Sequence, residues 1–537
     1  MKTFIFVILS LFVAECYAQN LQLNFGELIP TNRRARMLDA GMLGNKLFVV
    51  ESVGKIMSLK FYNPTTLKYL SSRIIQQDNC KGIKDCINND FGYEKTLFMK
   101  DKIIMFFSSY EKSSKQNILF AQIINEQGNF EGKLVIIDKI PSESRRNAGS
   151  FLTWQCKDST KFLIIQNPPF EKYAGEKFVF KVYNTKLENL TNFSAALPYK
   201  DKDLSISDYY LGNDGTIYML ASVVKEKKEK GEDRTFYSIL SFKGNEGSMA
   251  EFLVKLPEKN IETIALRLDE NANRIICSGL YSDISKGYEG KKIDGLFYLR
   301  ADVTKNVVEA TGFKTIENSV LAEILDIKEE KIDKNAKKAA GSKNFEIMDL
   351  IPRKDGTTTL ITEYRTIVVV RSTSTVNGVT TTTTTYHYYR KNIFVINIAN
   401  DGSILSFTNI PKYQYTINDG GRYSSFLLFE KDERLFFIYN DAAENLFGTA
   451  KTLKDMKRMG NVAKATLVAV EMKKDGSVTK QKVYDVPQKK IVTMPESAIK
   501  VGNGQYIMPI TMAPSAFSCN CFAMFTKIKY GISKIIL

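Results

Sequence analysis

Residues 205–257 read SISDYYLGNDGTIYMLASVVKEKKEKGEDRTFYSILSFKGNEGSMAEFLVKLP, and this stretch contains the pattern from which the fold is predicted. Apolar and polar residues alternate on both sides of the turn GNDG at 212–215, which is typical of a β-hairpin. A charged loop at 225–234 and a short turn at 244–247 separate two further runs, and the last run ends at Pro257. The predicted strands span residues 207–211, 216–223, 236–242 and 250–256.

The same unit recurs along the chain, with short Gly, Asn and Asp turns alternating with longer loops. The units span residues 36–75, 92–141, 148–198, 205–257, 261–316, 344–411, 421–487 and 491–537. Several fourth strands end before a proline, as at Pro141 and Pro198, where an edge strand tolerates the missing N–H. The repeat predicts an all-β fold: a single β-propeller of about eight four-stranded antiparallel blades, with seven as the alternative count. Two smaller β domains or a pair of β-sandwiches would also show short, regular strands.

Residues 1–18 predict a secretory signal, because Lys2 precedes an apolar run at 4–13 and Ala18 is a small residue at the cleavage position. The apolar run is too short to span a bilayer. We therefore expect an exported protein that is periplasmic, cell-surface or extracellular and not transmembrane. Residues 19–537 form one propeller domain in this interpretation, since no linker divides them.

The chain carries 75 Lys and Arg residues against 59 Asp and Glu residues, a net charge of +16. Such an excess favours acidic partners, and export makes nucleic acid an unsuitable one. Association with an anionic cell surface fits the charge, and so does a chain whose lysines simply lie on solvated faces.

The mature N-terminus resembles a fourth strand that lacks the first three. An apolar run at 23–29 is followed by Pro30, as at the ends of the repeat units. A propeller closes when one terminus completes the blade begun by the other, which removes an open edge. We predict that residues 21–30 pair with the unit 491–537; the alternative is that residues 532–537 already supply the last strand.

The two faces of the predicted disc differ, because tight turns lie on one face and nearly all insertions lie on the other. The insertions are at 111–116, 170–176, 225–234, 283–294, 366–391, 442–461 and 512–521. Helical spacing followed by charge predicts a short amphipathic helix near 318–343, and a second helix with a basic side is expected near 442–461. Asn377-Gly378 inside 366–391 predicts a Thr-rich β-ribbon, whose role could be to pair with a partner strand, to contact a glycan, or to pack inertly.

The ends of the predicted second strands offer polar and aromatic residues that would converge at the mouth of a central channel. The binding candidates are Glu51, Tyr110, Tyr281, Asp283, Glu363, Tyr364, Tyr439 and Asp441. The four carboxylates among them could supply the pair that glycoside hydrolysis needs, or they could be strand ends that meet water. His387 is the only histidine and has no nucleophile beside it in sequence, so we predict no catalytic residue, no metal site and no cofactor.

Six cysteines follow the signal, an even number that permits disulfides in an exported chain. We predict that Cys80, Cys86, Cys519 and Cys521 lie near the ring closure and form disulfides. Cys277 lies within an apolar run and is predicted to be a buried free thiol.

In architecture the repeat units resemble the β-propeller superfamily, and in style they are similar to exported propeller-like proteins of Gram-negative bacteria. The resemblance rests on the repeated strand and turn pattern and carries over no functional residue. Two hypotheses follow: a non-enzymatic binding or scaffolding propeller that recognises a protein or glycan through the long-loop face, or a carbohydrate-active hydrolase with carboxylates at the channel mouth.

Overall fold

The structure is a computed structural model in which the backbone is described over most of the chain. The described residues are 21–31, 35–53, 56–75, 92–99, 102–125, 127–225, 235–244, 248–270, 272–283, 293–326, 328–329, 344–377, 379–446, 453–502, 504–513 and 528–536. Within them, the strands form eight antiparallel sheets of four or more strands.

The N-terminal strands and the first four blades follow the chain in order. Their strands are β1 (Gln22–Phe25), β2 (Ile29–Thr31); β3 (Ala35–Leu43), β4 (Lys46–Val53), β5 (Ile56–Tyr62), β6 (Tyr69–Ile74); β7 (Gly92–Phe98), β8 (Ile103–Glu111), β9 (Gln116–Ile124), β10 (Phe130–Pro141); β11 (Ser150–Gln155), β12 (Lys161–Asn167), β13 (Gly175–Asn184), β14 (Asn189–Lys200); β15 (Leu204–Leu211), β16 (Ile217–Val224), β17 (Thr235–Lys243) and β18 (Ser248–Val254).

The remaining blades continue the same order. Their strands are β19 (Lys259–Asp269), β20 (Arg274–Asp283), β21 (Gly295–Asp302), β22 (Val307–Thr315); β23 (Phe345–Pro352), β24 (Thr358–Val376), β25 (Val379–Ile398), β26 (Ile404–Ile410), β27 (Gln414–Ile417); β28 (Leu427–Lys431), β29 (Arg434–Ala442), β30 (Ala465–Met472), β31 (Val478–Asp485); β32 (Ile491–Thr493), β33 (Ile499–Gly502), β34 (Gln505–Met512) and β35 (Ile528–Ile536).

The eight sheets close into a ring, because a hydrophobic cluster fills the space between each pair of neighbouring blades. The cluster that joins the last blade to the first packs Ala40 and Val49 against Ile507 and Ile532. First strands of neighbouring blades contact each other, as β3 does with β7 and β15 with β19, so these strands form the innermost ring. The predicted all-β propeller of about eight blades is confirmed.

The second strands are apolar along their whole buried length because both faces of each blade pack on a neighbour. In β4, Leu47, Phe48 and Val50 are all buried, and they point to opposite faces of the sheet. A short continuous apolar run of this kind is the pattern of a strand covered on both sides. The core of the protein is therefore a circle of interfaces between sheets.

The N-terminal strand completes the eighth blade, as predicted. β1 pairs antiparallel with β35 from Gln22 opposite Ile536 to Phe25 opposite Ser533, and β2 pairs with the same strand. The Gly26 N–H donates to the Ile532 carbonyl at 2.9 Å and continues the pairing between β1 and β2. The alternative is wrong, because β35 is the third strand of this blade and β1 lies outside it.

The insertions take three forms. Helix α1 (Asn318–Leu325) buries Leu321 and Ile324 in the cluster between blades 5 and 6. In the part of 442–461 that the structure describes, 3-10 turns at Ala443–Asn445 and Leu453–Asp455 replace the expected α-helix. The Asn445 side chain closes this loop instead, since it donates to the Lys457 carbonyl at 2.7 Å and accepts the Lys457 N–H at 2.8 Å. A second, one-turn helix, α2 (Val486–Lys489), precedes β32.

The third insertion is a long ribbon formed by β24 and β25 beyond the body of blade 6. The two strands stay paired up to Val376 opposite Val379, and Asn377 has a φ of +50°, which suits a two-residue hairpin turn. β27 pairs with the base of the ribbon at His387 to Arg390. Among the described residues, no helix combines the length and apolar composition needed to cross a membrane.

Candidate functional site

The inner wall of the ring contains a repeated irregularity in the first strands. Among the described strands, β3, β7, β15, β19 and β23 each contain a register shift at which one extra residue is inserted. A bulge of this kind re-aims the side chains beside it and is common next to binding sites. The shifts therefore set which side chains face the channel.

An aspartate follows the extra residue in three of these strands. The carboxylates of Asp39, Asp208 and Asp349 each accept the N–H of the next residue, at 2.9, 3.0 and 2.8 Å. These residues were not among the sequence candidates. The sequence does contain a pattern that could have indicated them. At equivalent places in three units, an apolar residue stands two positions before the aspartate, and Ala, Tyr or Leu follows it.

Arg267 of blade 5 lies between two of these aspartates. One of its terminal nitrogens is 3.1 Å from Asp208 of blade 4, and the other is 3.6 Å from Asp349 of blade 6. Burial raises the pKa of the Asp208 carboxyl, although the Arg267 charge opposes the increase. Burial likewise raises the pKa of Asp39, in blade 1, to about 6, while Lys95 acts in the opposite direction.

A cavity of about 500 Å³ lies at this level of the channel. First strands of four consecutive blades line it, with Trp154 from blade 3, Asp208 from blade 4, Arg267 from blade 5 and Glu346 from blade 6. A volume of this size is in the range of small-molecule sites. A second cavity, of about 300 Å³, lies beside the ring closure and is lined by residues that include Arg36, Arg422, Asp419, Glu496 and Tyr530.

Three of the four carboxylates predicted from the second strands, Glu51, Glu363 and Asp441, are buried and paired with cations, whereas Asp283 is half-buried. Glu51 lies 2.6 Å from Lys60 within blade 1. Glu363 lies 2.7 Å from Lys412, and both side chains are fully buried. Desolvation lowers the pKa of Lys412, and the Glu363 charge raises it.

Asp441 is also buried, and its carboxylate has three partners. One oxygen accepts hydrogen bonds from the Ala442 N–H and from Asn445 Nδ2, both at 2.8 Å. The other oxygen lies 2.5 Å from Lys480 Nζ. Because every partner comes from blade 7 itself, the carboxylate holds the loop after β29 onto its own sheet.

The structure brings Glu363, Tyr439 and Asp441 into one buried network between blades 6 and 7. Tyr439 is its centre, since Lys412 Nζ lies 5.9 Å and Lys480 Nζ 5.7 Å from the centre of its ring. Burial raises the pKa of Tyr439 well above the ordinary value. Glu51 stands apart from this group in blade 1.

The other candidates lie in separate blades. Tyr110 is partly exposed and its hydroxyl donates to the Ser142 carbonyl at 3.1 Å. Tyr281 is buried beside Thr315, and the Asp283 N–H donates to the carboxylate of Asp294 at 2.9 Å. Tyr364 is buried in blade 6 and packs against Phe345.

The ribbon carries the longest run of consecutive exposed apolar residues among the described residues. It lies on the long-loop face, the side of the ring where second strands connect to third strands. Four consecutive residues of β24, Ile367 to Val370, are each 45–51% exposed. Tyr386 on β25 and Ile417 on β27 are exposed beside them. The ribbon base is fixed by aromatic contacts, since His387 stacks on Tyr415 and its Nδ1 lies 2.8 Å from the Tyr415 hydroxyl.

The cysteine predictions divide into two groups. Cys80, Cys86, Cys519 and Cys521 lie outside the described residues. Cys277 is a fully buried free thiol, as predicted, and Cys156 is a second one. Among the described residues, no group of three or more His, Cys, Asp or Glu side chains could hold a metal ion.

The fold defines the class of this protein as an eight-bladed β-propeller. No protein-family model matches the sequence, and no curated protein matches it. Among solved structures, the chain is similar to the β-propeller domain of the Trilobed protease from Pyrococcus furiosus, with 14% identity, a TM-score of 0.35, and coverage of 85% of this chain and 100% of that domain.

Two further solved structures are similar at the same low level. One is the uncharacterized protein lmo1340 from Listeria monocytogenes EGD-e, with 9% identity, a TM-score of 0.37, and coverage of 78% of this chain and 90% of that one. The other is a post-proline cleaving enzyme from Rickettsia typhi, with 9% identity, a TM-score of 0.36, and coverage of 90% of this chain and 58% of the enzyme. This chain thus spans little more than half of that enzyme's length, and no functional residue is taken from any of the three.

Proposed function

We propose that the protein is an exported, non-enzymatic binding propeller that recognises a protein or glycan through its long-loop face. The observation that carries the proposal is the burial and ion pairing of three of the four predicted carboxylates. Glu51, Glu363 and Asp441 are buried and each is paired with a lysine. A glycosidase needs two carboxyl groups on either side of a substrate bond, and buried ion pairs are poorly suited to that task.

The ribbon supplies a contact surface for such a function. Its four consecutive exposed residues, Ile367 to Val370, lie on the part of β24 beyond its pairing with β23, where β25 is the one partner strand among the described residues. Exposed apolar segments on strand edges are typical of sites where another chain binds. The net charge of +16 adds attraction to an acidic partner.

The proposal is tested with the purified mature protein on a glycan array and a protein array. In the test variant, Val368 and Val370 are both replaced by serine; in the matched control, Val307 and Val308 on the outer strand β22, which are 46–48% exposed, are replaced in the same way. The test variant is expected to lose at least tenfold in affinity for the partner found, while the control binds like the unmodified protein. Equal loss in both variants, or release of new reducing ends from a bound glycan, would contradict the proposal.

A further inference from the structure

The cavity in the channel is lined by an exposed tryptophan together with polar side chains, and it is separate from the ribbon on the long-loop face. Trp154 is the only tryptophan of the chain, and it lines this cavity with 40% of its surface exposed. Single exposed apolar residues are common on proteins. Trp154, however, lies inside a concavity and shares it with polar side chains from three other blades.

Three bulges aim these polar groups at the cavity. The register shift of β15 lies at Ser207 and Asp208, that of β19 at Thr263, and that of β23 at Ile347. All four residues line the cavity. A concave site that combines apolar side chains with a few convergent polar groups is the usual form of a small-molecule site. The arrangement thus combines one aromatic platform with hydrogen-bonding groups held by a rigid sheet edge.

The charged side chains of the lining are already engaged in internal ion pairs. Arg267 lies between Asp208 and Asp349, and Glu346 lies 3.0 Å from Arg365. A strongly charged ligand would have to compete with these pairs, whereas hydroxyl groups can donate to the carboxylates and accept from the guanidinium without displacing either. The partly exposed indole of Trp154 adds an apolar surface on which the C–H groups of a saturated ring can pack.

We propose that the channel cavity binds a neutral saccharide, with Trp154 as the stacking platform and Asp208, Arg267 and Glu346 as hydrogen-bond partners. The site goes beyond the proposed function, which concerns the long-loop face. The two are separable, because no described residue of the ribbon lines the cavity.

The single tryptophan makes the test direct, since its fluorescence reports on this cavity alone. The mature protein is titrated with maltotriose, cellotriose, xylotriose and chitotriose, and with trigalacturonate and choline as acidic and cationic probes. A saturable change with at least one neutral trisaccharide, and none with the two charged probes, is expected. The proposal is overturned if none of the four neutral trisaccharides changes the emission, or if a charged probe binds more tightly than they do.

Variants then locate the site by calorimetry with the trisaccharide that binds. Trp154→Ala is expected to abolish measurable binding and Glu346→Gln to weaken it about tenfold, the loss expected when a hydrogen bond to a charged group is removed. Leu152→Ala is the matched control, since Leu152 lies on the same strand, is 37% exposed and does not line the cavity. Binding that persists in Trp154→Ala, or that is lost equally in Leu152→Ala, would overturn the assignment, and the ribbon double variant is expected to bind unchanged.

Discussion

Glu363 and Lys412 form an ion pair in which both side chains are completely buried, with 2.7 Å between Glu363 Oε1 and Lys412 Nζ. The second oxygen of Glu363 accepts a hydrogen bond from Ser425 Oγ at 2.7 Å. Lys412 follows the last strand of blade 6, and Ser425 precedes the first strand of blade 7. The carboxylate therefore ties together the segment that connects the two blades.

The closure of the ring can be tested by cross-linking the two ends of the chain. Leu23 lies directly opposite Ile535, and antiparallel partners have Cα atoms close enough for a disulfide. The double variant Leu23→Cys/Ile535→Cys is expected to form this disulfide and to gain about 2–4 kcal/mol in the free energy of unfolding. Peptide mapping under non-reducing conditions checks the bond.

The control for this cross-link moves one cysteine by two residues. Leu23→Cys/Ser533→Cys is out of register, because Ser533 lies opposite Phe25. We expect no bond between these two positions. If the out-of-register pair cross-links as readily as the in-register pair, β1 does not occupy the register described here.

The bulge in β19 depends on a glycine in the neighbouring strand. A Cβ atom on Gly279 would lie 1.9 Å from the Thr263 carbonyl oxygen, which belongs to the bulge. We expect Gly279→Ala to lower the free energy of unfolding by at least about 2 kcal/mol, since the backbone must move to admit the methyl group. Gly502→Ala is the control, because no atom lies within 4 Å of its added Cβ, and a change below about 0.5 kcal/mol is expected there. Urea unfolding of both variants decides the matter, and equal stability of the two would refute the described bulge.

The Asp39 carboxyl predicts a pH dependence of stability. Its pKa is raised from 3.8 to about 6 by burial, so between these values the folded state binds more protons than the unfolded state. Stability from this group is therefore present below pH 4 and is lost as the pH rises through 6, by about 2–3 kcal/mol in total. Urea unfolding at several pH values should show that stability falls between pH 4 and 6 by about this amount more in the unmodified protein than in Asp39→Asn.

A second aspartate provides the comparison for this pH dependence. Asp401 accepts the Ser403 N–H and hydroxyl, and these hydrogen bonds lower its pKa. The pH dependence of its contribution to stability is therefore opposite to that of Asp39. The contribution is present above the pKa of the unfolded state and is lost as the pH falls through the pKa of the folded state. Asp401→Asn should leave the decrease between pH 4 and 6 intact. An unchanged profile in Asp39→Asn would show that another group titrates there.

The fold could be predicted from the sequence because its determinants are local. The turn at 212–215, the prolines at strand ends and the apolar run before Pro30 each report on a few neighbouring residues. The closing strand was predicted because its pattern matches those of the other fourth strands. The structure of the insertion at 442–461 was predicted wrongly in the part that is described. There the Asn445 side chain forms hydrogen bonds with the Lys457 backbone, and hydrophobic periodicity carries no signal for such contacts.

The candidate sites could be predicted only in part, because burial depends on partners that are distant in sequence. Glu363 and Asp441 looked like polar strand ends that meet water, yet Lys412 from the segment after β26 and Lys480 from β31 cover them. The aspartates beside the bulges were missed because a bulge shifts a side chain by one position, and alternation alone does not show it.

The central claim is that the buried carboxylates at the second-strand ends stabilise the fold through ion pairs instead of acting on a substrate. The free energy of unfolding of Glu363→Gln tests it most directly. Its matched control is Glu143→Gln, whose side chain is 86% exposed and pairs with Lys115, which is itself 59% exposed. A decrease of about 3–5 kcal/mol is predicted for Glu363→Gln, because Lys412 would remain charged and buried without its partner, and about 0–1 kcal/mol for the control. A Glu363→Gln protein as stable as the unmodified one would contradict the claim and would leave Glu363 available for catalysis.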